Sequence, residues 1–229
     1  ADNNTAVGDS ALKANTTGHS NTGIGQGALQ ATTDGDQNVA VGNSALTAAT
    51  TAGSNTAIGH DALCANTTGG QNNAFGDGAM DANTTGCRNV AMGNASMGKN
   101  TEGVCNVAIG YRALICNVTG DKNTAVGASA LSENTTADNN TALGFESLIC
   151  NTTGTANLAL GAYAMCLNTT ANDNTAVGVA ALLVNTTGAQ NTAIGRSALT
   201  ANTTGCRNIA IGYNSLAVNT TGCCNVSIG

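Results

Sequence analysis

Proline and tryptophan are absent from this 229-residue chain, and aromatic residues make up only 2% of it. A compact globule needs large side chains to fill its centre, so that architecture is excluded. A thin coil does not need them, because its core is only a few side chains wide. Charged residues are 9%, against roughly a quarter in an ordinary soluble domain. The 7 Lys and Arg are scattered and the net charge is −6. Phosphate backbones are bound by clustered cations, so no nucleic-acid partner is expected. No run of ~18 apolar residues is available to span a membrane. No nucleophile elbow, P-loop or dinucleotide fingerprint occurs, and carboxylates lie singly, so the chain reads as a non-enzyme without a cofactor. Asp34 and Asp36, flanking Gly35, come nearest to a cation site and read as a solvated turn. Calcium-binding β-rolls need an Asp in every repeat. With no Cys-x-x-Cys and only His19 and His60, a zinc site is not expected. No leader is visible, the first residue is Ala, and the chain stops on a repeat glycine without a cap. Solenoids need capping repeats, so a processed chain or a segment of a longer fibre is expected.

What is present is a repeat. Asn55-Thr56-Ala57-Ile58-Gly59 recurs with small changes fourteen times, opening at asparagines from Asn4 to Asn225 that are always 17 residues apart. A fixed period of this size indicates a solenoid, each repeat forming one coil that stacks on the next. Residues 1–229 are read as one array of about 13 coils.

Numbered from that Asn, position 5 is always Gly, position 3 is Ala except at Gly23 and Ser227, and position 4 is a large apolar residue. Position 2 is Thr or apolar apart from Asn73, position 8 is Ala or Ser, position 9 is Leu or Met, and positions 12–15 usually read Asn-Thr-Thr-Gly. No helical spacing of apolar residues is sustained. The expected coil therefore has two short strands, at positions 2–4 and 7–10, joined by turns at the position-5 glycine and at Asn-Thr-Thr-Gly. Side chains alternate along a strand, so positions 2 and 4 share a face. Because they are large and apolar, they are expected to point into the coil, with position 9 closing the core from the other side. Every charge falls at positions 6, 7, 10, 11, 14, 16 or 17, a clean partition of inside from outside. The Ala of position 3 then faces outward and makes, with position 8, a small-residue stripe. It reads as a subunit interface rather than as tight turn packing.

Two asparagine rows run down the array. Position 1 is expected to cap a turn through its side chain or to stack as an amide ladder. At position 12, Asn15, Asn66, Asn83, Asn117, Asn134, Asn151, Asn168, Asn185, Asn202 and Asn219 each begin an N-x-Thr sequon. These are either N-glycan acceptors on one edge or turn chemistry with its own amide ladder. Further sequons at Asn3, Asn94, Asn139 and Asn225 lie off this row.

The nine cysteines keep to positions 10, 11, 16 and 17. With coils ~4.8 Å apart, Cys87–Cys105, Cys150–Cys166 and Cys206–Cys224 (or Cys223) come within reach of a disulfide. Such bridges indicate an oxidising, extracellular setting, and an odd total leaves one thiol free or bonded to another chain.

Asn-Thr-Ala-Ile-Gly followed by Ala-Leu, as at 55–59 and 62–63, resembles the head repeat of trimeric autotransporter adhesins and is similar to solenoid repeats of bacterial and phage tail-fibre-like proteins. The resemblance runs the whole chain. It implies an all-β, parallel, left-handed β-roll that trimerises side by side with the Ala-rich face inward, on a cell surface or virion fibre. The adhesin heads use a shorter repeat, and nine cysteines are unusual among them. The expected function is a structural extracellular fibre or adhesin shaft, partnered by copies of itself and by covalent or bound glycans. The alternative is an ice-binding β-solenoid, although position 2 is Thr in only half the repeats and positions 13 and 14 should not share a flat face. A polysaccharide-cleaving β-helix is a third reading, disfavoured because Tyr111, Phe145, Tyr163 and Tyr213 form no platform with an acidic cluster.

Overall fold

A computed structural model describes all 229 residues. The chain divides into two compact units, Ala1–Thr119 and Gly120–Gly229, and contains no helix. The first unit carries seven three-residue strands, from β1 (Thr5–Val7) to β7 (Val107–Ile109). The second carries seven more, from β8 (Thr124–Val126) to β14 (Val226–Ile228). Within each unit neighbouring strands pair in parallel and in chain order, every residue lying beside the one 17 further on. Thr56 pairs with Asn73, Ala57 with Ala74 and Ile58 with Phe75; Thr124, Ala125 and Val126 pair in the same way with Thr141, Ala142 and Leu143. Parallel neighbours need a crossover of about a dozen residues or more, and the rest of each repeat supplies it. The parallel β-solenoid expected from the period is thus the architecture, one coil per 17 residues.

Each coil has one strand, not the two expected. Positions 7–10 form a continuous turn because positions 7 and 9 are left-handed: Asp61 and Leu63 both have φ of 53°, far from the extended region near −120°. Leucine in this region costs about 1–2 kcal/mol. Complete burial of its side chain returns about 1.5–3 kcal/mol, and the position-9 side chains from Leu29 to Leu199 are fully buried. The turn is also bonded to the next coil: Leu29 N–H donates to Ala45 O at 3.1 Å and Ala31 N–H to Thr47 O at 3.0 Å.

The faces of the strand are the reverse of those expected. Ala57 is wholly buried whereas Ile58 is 38% exposed, and the same order holds for Ala91 and Met92, Ala108 and Ile109, and Ala142 and Leu143. Alternation along the strand holds, but its phase is set by space rather than by size. The Leu or Met of position 9 already fills the coil, leaving room opposite only for a methyl group. At Gly23, the one glycine of position 3, an added Cβ would meet Leu12 Cγ at 3.5 Å and Ala28 O at 3.2 Å. The small-residue stripe of positions 3 and 8 is therefore the core, which removes it as an interface.

Both asparagine rows lie mostly inside the coils, with their amides hydrogen-bonded from coil to coil except at Asn15 Oδ1. At position 1 the two expected roles coexist. Asn38 Nδ2 donates across its own coil to Ala52 O at 2.8 Å and to Asn21 Oδ1 at 3.1 Å, while Asn38 N–H donates to the same Asn21 Oδ1 at 2.9 Å. Buried amides left unpaired would each cost about 1–3 kcal/mol. The position-5 glycine is required by both conformation and contact. Gly144 has φ of 138°, and a Cβ there would lie 2.6 Å from Gly161 C.

Candidate functional site

In each unit the outward side chains of the strands form two columns. Position 4 presents Val7, Ile24, Val41, Ile58, Phe75, Met92 and Ile109 in the first unit, and Val126, Leu143, Leu160, Val177, Ile194, Ile211 and Ile228 in the second. Position 2 presents half-buried Thr22, Val39, Thr56, Val90 and Val107 beside them. Six spacings of ~4.8 Å make each column roughly 29 Å long. No charge interrupts either column. An exposed apolar strip of this continuity is the usual mark of a surface that meets another apolar surface.

These residues were expected in the core, and the signal that places them outside is their spread of size. Positions 3, 8 and 9 hold nearly constant volume, as a close-packed interior requires. Position 4 runs through Val, Ile, Leu, Met and Phe within one array, which only a free surface accommodates.

The polar edge of the first unit gathers His60, Asp61, Asp77 and Asp81 around a cleft of about 300 Å³. His60 Nδ1 lies 2.9 Å from Asp77 Oδ1 and its Nε2 lies 3.4 Å from Asp61 Oδ2. Asn94 Nδ2 donates to Asp77 Oδ2 at 2.8 Å. Burial raises the Asp81 carboxyl above the usual range, and burial together with Asp61 and Asp81 raises the nearby Cys64 thiol. No group of three or more His, Cys, Asp or Glu side chains is arranged to hold a metal ion, and exposed ion pairs of this kind contribute little to stability. Asp34 and Asp36 bond instead to the preceding coil: Asp34 Oδ1 accepts from Thr17 Oγ1 at 2.6 Å, and Asp36 Oδ1 from His19 N–H at 2.7 Å. Phe145 and Tyr163 stack edge to face with centroids 5.4 Å apart, a pairing between coils that their sequence separation conceals.

The sequon row lies inside the coils, which of the two readings favours turn chemistry over a glycan-bearing edge. Asn66, Asn83, Asn117, Asn134, Asn151, Asn168, Asn185 and Asn202 are wholly buried, and Asn15 and Asn219 are half-buried. The nitrogen that would carry a glycan is already bonded. Asn83 Nδ2 donates to Asn66 Oδ1 at 2.8 Å and to Gly86 O at 3.0 Å; Asn15 Nδ2 donates to Gly18 O and Asn219 Nδ2 to Gly222 O, each at 3.1 Å. The Asn-Thr-Thr-Gly stretch is turn chemistry with its own amide ladder. Its two threonines do part company, as the argument against a flat pair required. Thr67 Oγ1 turns back to donate to Thr84 O at 3.1 Å, while Thr68 is exposed.

All nine cysteines are free thiols, so none of the expected bridges Cys87–Cys105, Cys150–Cys166 and Cys206–Cys224 (or Cys223) is closed. These pairs do meet through the backbone: Cys105 N–H donates to Cys87 O, Cys150 N–H to Cys166 O and Cys224 N–H to Cys206 O, at 3.0–3.1 Å. They lie one position out of register, so backbone proximity does not bring the sulfurs together. Burial, with Cys150 and Glu146 nearby, pushes the Cys166 thiol up to about 11. The sulfurs that approach each other belong to residues in the same position of successive coils. Cys206 Sγ and Cys223 Sγ are 2.8 Å apart.

No helix is long and apolar enough to cross a membrane. Comparison with family models, with curated proteins and with solved structures finds no match to this chain.

Proposed function

We propose that this chain is a structural element of an extracellular fibre or adhesin shaft, and that copies associate side by side, as a homotrimer, through the outward columns of positions 2 and 4. One observation carries the reading: in each unit an unbroken, uncharged ladder stands outside a core that is already filled, of Val, Ile, Phe and Met in the first and of Val, Leu and Ile in the second. Leaving it in water forfeits the rest of the burial of many apolar side chains, each gaining on being covered only the fraction still exposed of the about 1.5–3 kcal/mol that burying a whole side chain contributes. The likeness of Asn-Thr-Ala-Ile-Gly to adhesin-head and tail-fibre repeats supports the number of copies and the setting outside the cell or on a virion. The interface differs from the Ala stripe that the resemblance implied. The work done is reach and presentation, with no substrate turned over.

Light scattering on the eluting 229-residue chain tests this. The parent is expected at three times 22.3 kDa. A variant with Ile58→Asp and Leu160→Asp, one charge in each unit's column, is expected at the single-chain mass with an unchanged circular dichroism spectrum. A parent that stays a single chain at high concentration overturns the reading.

The outward direction of position 2 favours a second reading, an ice-binding face, since Thr22 and Thr56 in one unit and Thr124, Thr141, Thr175 and Thr192 in the other all stand at the same position of the parallel sheet. Val39, Asn73, Val90 and Val107 interrupt the first of these rows. Thermal hysteresis from the single-chain form would select this reading over the fibre.

A further inference from the structure

Cys206 and Cys223 occupy position 16 of successive coils in the second unit, where in-register stacking sets one sulfur above the other. Cys206 S–H donates to Cys223 Sγ at 2.8 Å, and Cys206 backbone N–H donates to the same sulfur at 3.1 Å. Equivalent residues of neighbouring parallel strands lie ~4.8 Å apart, inside the Cα range of roughly 4.4–6.8 Å that a disulfide spans. Cys223 is exposed and Cys206 half-buried, so small molecules in solvent can reach both. Cys224 is also exposed, but its position is 17, and its contact with Cys206 is the backbone bond rather than a sulfur contact.

We propose that Cys206 and Cys223 form a thiol–disulfide exchange site, closed by a small-molecule disulfide such as glutathione disulfide, which clips the coil beginning at Asn208 to the one before it. The two donors converging on Cys223, first the Cys206 thiol and then the Cys206 N–H, lower its pKa from the ordinary value, while the same thiol contact raises that of Cys206. Cys223 is therefore the attacking thiolate. Having given its proton to solvent, it attacks one sulfur of glutathione disulfide. That S–S bond breaks, a mixed disulfide forms on Cys223, and one glutathione thiolate leaves. Cys206 then loses its proton, attacks the Cys223 sulfur and expels the second glutathione thiolate. The two protons released by the cysteines protonate the two leaving thiolates. Two protein thiols are oxidised to one disulfide and one small disulfide is reduced to two thiols.

The test uses the full reduced chain, incubated with glutathione disulfide, quenched by alkylation, digested with trypsin and mapped by mass spectrometry. Cleavage after Arg196 and Arg207 puts Cys206 in peptide 197–207 and Cys223 with Cys224 in peptide 208–229. The expected result is these two peptides joined, separated again by dithiothreitol. Cys224→Ser should keep the join at the parent's rate, Cys223→Ser should lose it, and Cys206→Ser should accumulate glutathione on Cys223. Circular dichroism of each variant confirms that it is folded. The proposal is overturned by a Cys223–Cys224 bridge within peptide 208–229, by loss of the join in Cys224→Ser, or by a Cys223→Ser variant that joins as fast as the parent.

Discussion

At position 12 the second coil carries Thr32 and the third Ala49 where other coils carry Asn. The ladder has a gap there, and it shows as two buried oxygens without partners, Asn15 Oδ1 and Thr32 Oγ1. An asparagine at 32 would repeat the geometry of Asn83, donating to the preceding Oδ1 and to the carbonyl three residues on. Thr32→Asn is expected to stabilise the chain by about 1–3 kcal/mol, read as a higher urea midpoint at unchanged slope. An unchanged or lower midpoint would show that the orphaned oxygens are harmless. The role of these asparagines was half visible beforehand. An N-x-Thr triplet reads the same whether its amide faces solvent or a column of its own kind, and only burial separates the two.

At the scale of the coil, the period and the inside/outside partition were legible, because Asn and Gly recur at fixed phase and the charges avoid the same positions throughout. Two features were not. Alternation offers two faces, and the larger side chains of position 4 pointed to the wrong one, because the narrowness of the coil is a property of all 17 residues together. The turn at positions 7–10 was hidden because Leu63 and Asp61 take left-handed angles without a glycine to mark them. The coil is nonetheless the unit of repair. Deleting residues 55–71 removes one whole period and sets Asn72 after Ser54, so the phase of every later residue is kept. That variant is expected to retain its circular dichroism spectrum and to melt within a few degrees of the parent. Deleting 63–71 leaves five residues between Ile58 and Asn73, fewer than the dozen or so that a parallel crossover needs, and should lose cooperative melting. Equal melts for the two deletions would argue against coils as the stacking unit. The exchange site proposed at Cys206 and Cys223 works at this scale too, since a bridge closing a loop of about 15 residues stabilises by roughly 3 kcal/mol.

For the molecule as a whole, the scarcity of charge and the apolar columns predict how association responds to its surroundings. The contacts proposed for Ile58, Met92 and their neighbours would contain no ion pair to screen, and each copy carries the same net charge of −6. Salt should therefore tighten the assembly by weakening mutual repulsion; dissociation between 50 mM and 500 mM salt, read by light scattering, would assign the contact to charges instead. The amide column of position 1 adds an arrow to each unit. From Asn4 to Asn89 in the first unit and from Asn123 to Asn208 in the second, each Oδ1 receives from the coil that follows it: Asn72 N–H donates to Asn55 Oδ1 at 2.9 Å, and Asn55 N–H to Asn38 Oδ1 at 3.0 Å. Losing one side chain therefore harms its two neighbours unequally. In Asn55→Ala the amide proton of residue 55 keeps its acceptor while that of Asn72 is stranded. Deuterium should enter at Asn72 first and advance toward higher numbers, so damage unzips each unit in a single direction; uptake spreading evenly both ways would mean that the arrow has no mechanical effect.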